Sequence, residues 1–391
     1  MAYHRNFLLI LIIPLFVLAY SCSNNSNSQD NTKKIIISSD VGAGLVNGTS
    51  SSPSDTDDSY AIELMTSYVD AEVLAVVTVH GNNIEPATFF AANQTFLDTP
   101  GVWNGPISRG SQIPLALPDD IIWTGGINGD ESEPQLCINV GVQAMADLLE
   151  ESEDLVTILA LGPLTDIACL VLNFPDVLDK IEEIVFLGGR APDQLLAYDF
   201  APDVIFTDFN VAQDNRAAQV VLEQSTIPFT FINFSISSSS LYTDEQIDSL
   251  GDPECGARSQ LLSRASQDRL EELAELLGMD VMDTFDINAA YYLAKPEMFI
   301  CEDAGFDFVD CAIGTTGVYN GVDNPCAGHG PDQPSDLNLE SVQLWVDPSY
   351  LGQSRTVNSC ISYVNQEELE RFETGTIEVF CEGDVWADLP E

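Results

Sequence analysis

The strongest constraint on this chain is an alternation of short apolar runs with longer stretches of helical periodicity. Residues 34–39 (KIIISS), 71–79 (AEVLAVVTV), 156–160 (VTILA), 181–187 (IEEIVFL) and 228–233 (PFTFIN) read as strands, several closed by Gly, Asn or Asp. Helices are expected over 60–68, 85–97, 135–149, 163–172, 216–224, 260–277 and 286–293, with Pro163 at a first-turn position that proline favours. Strands separated by helices pair in parallel, so the expected fold is α/β. It is a single large domain over 34–391, with a mainly parallel central sheet flanked by helices, a Rossmann-like open sheet. A chain of 391 residues, 45% of them hydrophobic, can bury the core this requires. From about residue 300 to Asn338 the text turns rich in Gly, Pro, Asp and Cys, a decorated C-terminal part, before strands near 342–346 and 355–359. No internal repeat and no linker interrupts the body.

The first residues read as an export signal. His4 and Arg5 precede an apolar run over 7–19 that is too short to span a bilayer comfortably, and Ser21-Cys22 closes it before a polar linker over 23–33. A small residue before a cysteine resembles the lipobox of bacterial lipoproteins, in which Cys22 is the lipidated residue, although Tyr20 is atypical. A lipid anchor at Cys22 and an ordinary cleaved signal therefore both stay open. Either one exports the chain, to the periplasm or the outer surface, and any membrane contact is through the anchor alone. Nine cysteines less Cys22 leave an even number, compatible with disulfides in an oxidising compartment but not with one unique connectivity. Cys301, Cys311, Cys326, Cys360 and Cys381 crowd the last quarter, whereas Cys169, in an apolar helix, is expected to be a buried thiol.

Sixty-two acidic residues face 13 basic ones, a formal charge of −49. Such a surface repels phosphates and excludes a nucleic acid as partner. Lysine occurs only at Lys33, Lys34, Lys180 and Lys295, which reads as adaptation to saline surroundings, where salt screens the self-repulsion.

In open α/β sheets ligands bind beyond the carboxyl ends of strands, and here those positions are acidic. Asp40 follows the first strand. Asp57-Asp58 open the next helix after a Gly/Ser-rich insertion over 42–54. Asn82 follows the second strand, Thr165-Asp166 the third, Asp208-Phe209-Asn210 leads to Asp214, and Asp286 starts a late helix. Carboxylates converging on one place repel unless a hard cation neutralises them, and oxygen-only ligands imply calcium or magnesium. Taken singly, each aspartate also serves as a helix cap. Gly42-Ala43-Gly44 lacks the third glycine and the lysine of a phosphate loop. His80 reads as a satisfied strand-end histidine. His329 reads as a disulfide-loop residue rather than half of a zinc site.

The order of these pieces resembles the nucleoside hydrolase family, the inosine/uridine-preferring type. KIIISSDVG followed by DTDDSYAIELM looks like the family's Asp-x-Asp-Pro-Gly-x-Asp-Asp loop split by an insertion. VTVHGN, LGPLTDIA, FLGGR, DFNVAQDNRAA and FDINAAYYLAKPEMF are similar to its later segments, in order from Lys34 to about Phe299. The resemblance implies a Ca2+-dependent hydrolase of ribonucleosides or related N-ribosides, assembled as a homo-oligomer, a dimer or tetramer. It implies Asp40 as catalytic base and metal ligand, Asp58 and Asp286 as ligands, and Thr165 as a ligand through its backbone carbonyl. Asp57, Asn82, Asp208 and Asn210 would hold ribose hydroxyls. Three positions depart from the pattern. Ser38 stands at the first loop aspartate, Asp208 replaces a longer glutamate, and Phe285 replaces the histidine that helps protonate the departing base. Phe285 can instead stack on a base or aryl group. That loss leaves a rival implication, a surface lipoprotein that keeps the fold and binds a ribosyl ligand or glycan without cleaving it.

Overall fold

The computed structural model describes residues 32–45, 56–97, 103–115, 137–192, 194, 196–198, 201–205, 208–278, 281–310, 318–319, 322–323, 342–383 and 385–389. They belong to the unit from Thr32 to Glu391. The signal segment with Cys22, residues 46–54 of the insertion, Cys311, Cys326 and His329 lie outside the described residues.

β1 (Lys33–Ser39) places Ile35 and Ile37 in one apolar cluster and Ile36 in another. Successive strand residues point to opposite faces, so a run of isoleucines demands cover on both sides and a central place in the sheet. After the insertion come α1 (Asp57–Ser67), β2 (Ala71–Thr78), α2 (Glu85–Leu97) and the short β3 (Ile107–Arg109). The alternation continues through α3 (Val140–Glu151), β4 (Val156–Ala160), α4 (Thr165–Asn173) and β5 (Ile181–Leu187). An antiparallel pair, β6 (Ala197–Tyr198) with β7 (Ala201–Ile205), then leads to α5 (Phe209–Gln213), α6 (Asn215–Gln224) and β8 (Phe229–Ile232). Next are α7 (Phe234–Ser237), β9 (Leu241–Thr243), α8 (Asp244–Ser249), α9 (Ala257–Leu277), β10 (Val281–Asp283) and α10 (Phe285–Ala294). The last part holds β11 (Phe299–Asp310), the small pair β12 (Val318–Tyr319) and β13 (Val322–Asp323), then β14 (Val342–Asp347), β15 (Val357–Tyr363) and α11 (Gln366–Glu382).

Nine strands form the central sheet in the order β14-β11-β15-β8-β5-β4-β1-β2-β3. Pairing is parallel from β3 across to β15; β11 alone runs against the other strands of this sheet, pairing antiparallel with β15 on one side and with the edge strand β14 on the other. Tyr60 and Leu64 of α1, Ile287 and Tyr291 of α10 and Phe372 of α11 pack one face. Val142 and Met145 of α3, Ile167 of α4 and Val221 of α6 cover the other. The expected α/β sheet with helices on both faces is what forms. Its order also reverses at β1: the chain runs outward to β2 and β3, then returns to β4 on the opposite side. At such a reversal the loops after two neighbouring strands part, leaving a crevice at their carboxyl ends. Asp40, just after β1, and Gly162, just after β4, stand at that point.

Several boundaries differ from expectation. α3 begins at Val140 rather than 135, because Asn139 caps it, its Oδ1 accepting the Val142 N–H at 2.8 Å. α4 begins at Thr165, so Pro163 sits in the loop before it. The stretch after Phe299, expected to be irregular, opens with the twelve-residue strand β11. Its acidic Glu302 and Asp303 are exposed while Ala304 and Phe306 are buried, as an antiparallel strand near a sheet edge allows.

Three disulfides are present among the described residues: Cys137–Cys169, Cys255–Cys381 and Cys301–Cys360. Cys169 is therefore bonded, not a free thiol. The apolar helix around Cys169 carries no sign of its partner, because Cys137 is 32 residues away, just before α3. Cys255–Cys381 ties the start of α9 to the end of α11 across 126 residues of chain. Loop-closure entropy assigns a cross-link of that span about 5 kcal/mol. The double variant Cys255→Ser/Cys381→Ser is expected to melt lower by on the order of 10 °C in a thermal scan. An unchanged midpoint would show that this bond constrains nothing.

Candidate active site and cation centre

Asp40 is buried at the end of β1, and two glycines make room for it. A Cβ on Gly81 would lie 1.8 Å from Asp40 Oδ2, and Gly81 has φ +154°, a region side chains rarely adopt. A Cβ on Gly162 would lie 2.9 Å from both the backbone nitrogen and Oδ1 of Asp40. The carboxylate thus sits between the loops that follow β2 and β4. Asn82 then joins it to the next acid: its N–H donates to Asp40 Oδ2 at 2.7 Å and its side-chain amide to Asp58 Oδ2 at 3.1 Å. Ser39, beside Asp40, also donates its hydroxyl to Asp58.

Asp57 and Asp58 occupy the first turn of α1 and Asp286 the first turn of α10, two helices that pack on each other. Helix N-termini favour negative charge, and the Asp286 N–H donates to Asp57 Oδ2 at 2.8 Å. Asp57, Asp58 and Asp286 are buried, with one carboxylate oxygen from each lying within 4.8 Å of the others. Three buried carboxylates at that separation repel strongly unless a cation lies among them. A purely oxygen donor set suits a hard divalent ion, so the residues fit a metal centre. The structure adds Asp57 to the acids expected there, and links Asp40 to the trio through Asn82.

Thr165 opens α4. Its hydroxyl donates to Asp214 Oδ2 at 2.7 Å and lies 3.0 Å from His80 Nε2. Burial pushes the His80 imidazole down to about 3, so it is neutral at any physiological pH. The neighbouring Asp166 accepts from Ser111, through N–H at 2.9 Å and hydroxyl at 2.6 Å, and from the Asn139 amide at 2.8 Å. Burial raises its pKa, and those hydrogen bonds oppose the rise.

The remaining candidates lie beside the ends of β4 and β5 and at the start of α10. Asp208 caps α5 and accepts the Gly189 N–H at 2.7 Å. The Asn210 amide donates to the carbonyls of Leu161 and Leu187, at the ends of β4 and β5, at 3.1 and 3.2 Å. Both are therefore held at strand ends by the sheet itself. Phe285, half-buried, stacks on Phe234 with ring centroids 5.8 Å apart and lies 6.5 Å from Tyr198, whose hydroxyl donates to Asp283. The site thus gathers Asp40, Asp57, Asp58, Asn82 and Asp286 into one connected group of contacts. Asp214, named among the acidic strand-end positions, pairs with Thr165. Ser39 is a participant that the strand-end positions did not single out, since its partner Asp58 is distant in sequence.

The profile of the inosine-uridine preferring nucleoside hydrolase family matches residues 53–370, starting beyond β1 within the split acidic loop. The pyrimidine-specific ribonucleoside hydrolase RihA of Shewanella oneidensis is 28% identical over 261 residues, 63% of this chain and 77% of that one. RihA of Photobacterium profundum is 29% identical over 203 residues, 50% and 62% of the two chains. Among solved structures, the plant nucleoside hydrolase PpNRh1 superposes with a TM-score of 0.60 at 18% identity, covering 88% of this chain and 99% of its own. The purine-preferring ribonucleoside hydrolase from Gardnerella vaginalis gives 0.63 at 16%, covering 90% and 99%. Fold, acidic crevice and a match across most of the sequence agree: the chain belongs to the inosine-uridine preferring nucleoside hydrolase family.

Proposed function

We propose that the protein hydrolyses the N-glycosidic bond of ribonucleosides or related N-ribosides, with Asp40, Asp58, Asp286 and the Thr165 carbonyl holding a calcium ion. The observation that carries this reading is the buried trio Asp57, Asp58 and Asp286, joined through Asn82 to Asp40 at the point where the strand order reverses. Carboxylates and a backbone carbonyl form the donor set that calcium prefers. A calcium ion held by these residues would lower the pKa of water at the site. Asp40 accepts the proton of the attacking water. Asp57, Asn82, Asp208 and Asn210 hold the ribose hydroxyls and fix the sugar for in-line attack. As the bond to the base breaks, positive charge develops on the sugar, and the surrounding carboxylates stabilise it.

Phe285 decides the leaving group. It offers no proton, so a departing base gains no acid from this position. Its ring, set against Phe234, instead presents a flat apolar face to a base or aryl group. Substrates whose leaving group departs without protonation are therefore favoured. On a panel of nitrophenyl riboside, uridine and inosine, kcat on the nitrophenyl riboside is expected to exceed that on inosine by about a hundredfold or more, the worth of one missing general acid. Measurable ribose binding with no turnover of any panel member would instead establish the second reading that Phe285 favours, a surface protein that binds a ribosyl ligand or glycan.

We also propose, from the apolar leader closed by Ser21-Cys22, that the protein is exported and anchored as a lipoprotein at Cys22. The disulfides support export, since such bonds persist in oxidising compartments. The family resemblance supports a homodimer or homotetramer.

A further inference from the structure

We propose that His80 and Asp214 are positioning residues that aim the first turn of α4 by gripping the Thr165 hydroxyl from two sides, His80 as its Nε2–H tautomer. The proposal rests on the assignment of the Thr165 carbonyl as a calcium ligand, and adds to it the groups that hold that carbonyl in place.

Hydrogen-bond bookkeeping fixes the roles. Asp214 accepts throughout: from Leu115 N–H at 2.6 Å, from Ala217 N–H at 2.9 Å and from the Thr165 hydroxyl at 2.7 Å. The single hydroxyl proton of Thr165 is thereby used. Its 3.0 Å contact with His80 Nε2 is a hydrogen bond only if that nitrogen carries the proton. His80 Nδ1 is then a bare lone pair, and it is buried with no hydrogen-bond partner among the described residues. A buried unpartnered nitrogen is costly, and a leucine would fill the volume without it. The imidazole is explained by what its other nitrogen does.

The connections run to the rest of the site. The backbone N–H of His80 donates to the Ser111 carbonyl at 3.0 Å, and Ser111 in turn grips Asp166, the neighbour of Thr165. Two residues beyond His80, Asn82 contacts both Asp40 and Asp58. The loop after β2 therefore touches both halves of the proposed cation shell. A backbone carbonyl has no rotamer of its own, so it is aimed only by fixing the residue that bears it. A hydroxyl that donates on one side and accepts on the other fixes Thr165 in a single orientation.

The test titrates calcium calorimetrically into the full-length protein, four single variants and one double variant, with kcat and KM measured at limiting and saturating calcium, and melting in excess chelator. His80→Leu and Thr165→Val are expected to weaken calcium binding by about 10- to 100-fold, the usual effect of losing a group that orients a ligand. Activity returns at saturating calcium. His80→Gln, whose amide can still donate, and Thr165→Ser, which keeps the hydroxyl, stay within about threefold of the parent protein. The double variant His80→Leu/Thr165→Val binds no more weakly than Thr165→Val alone, because His80 acts only through that hydroxyl. The proposal is overturned if His80→Leu binds calcium like the parent. It is equally overturned if all four variants lose affinity in proportion to their melting temperature in chelator, which is the mark of a merely structural role. A parent protein that binds no calcium would instead overturn the assignment of the site itself, a result distinct from the other two.

Discussion

Replacing Asp40 with asparagine is expected to lower kcat on a cleaved riboside by about a thousandfold, within the range that a positioned general base supplies, while leaving the melting temperature in excess chelator close to that of the parent. The side chain is nearly isosteric, and an amide oxygen still accepts the Asn82 N–H that Asp40 Oδ2 accepts at 2.7 Å. The space between Gly81 and Gly162 remains filled, so packing is conserved; what is lost is the basicity of the carboxylate and its charge toward the cation, so kcat is compared at saturating calcium. Full activity in Asp40→Asn would show that another group takes the proton. Gly81→Ala is a complementary perturbation: its new methyl would collide with the carboxylate, so activity falls although Asp40 is intact.

The second large effect is on stability. Burial of Asp57, Asp58 and Asp286 within 4.8 Å of one another stores repulsion that a bound cation relieves. A ligand present at about a hundred times its Kd stabilises the native state by about 2.7 kcal/mol, which for a chain of this size raises Tm on the order of 5 °C. Calcium is expected to produce that rise, and excess chelator to reverse it. Asp286→Asn discriminates further. It removes one of the three repelling charges, yet keeps the backbone N–H that Asp57 accepts. In chelator the variant should melt at or above the parent; in calcium the order should invert. A variant that melts lower under both conditions would assign Asp286 an ordinary structural role.

Much of the sheet was legible because its central strands carry isoleucine and valine on both faces, a pattern only a covered parallel sheet satisfies. β11 and α11 were not. β11 spends its outward positions on Glu302 and Asp303, which read as loop. In α11 the helical signal lies in the Asn365 cap, which accepts the Glu368 N–H, at the head of a strongly acidic stretch. The site divides in the same way. Asp40 sits at a strand end and Asp58 and Asp286 at helix starts, where acidity is conspicuous against apolar runs. The membership of Asp57 in the trio depends on how α1 and α10 pack, and the grip of His80 and Asp214 on Thr165 on three segments meeting in space. Neither relation has a counterpart in local spacing. Cys169 shows the same limit: its helix is apolar, but its partner Cys137 arrives from a separate segment.

An aspartate-held cation and ribosidic cleavage are tested together by one measurement. Ribose release from uridine and from nitrophenyl riboside is followed as reducing sugar in calcium, in excess chelator, and after calcium is restored. The account predicts release in calcium, loss of release in chelator and recovery on restoration. Release that continues undiminished in chelator, or no release under any of the three conditions, would contradict it.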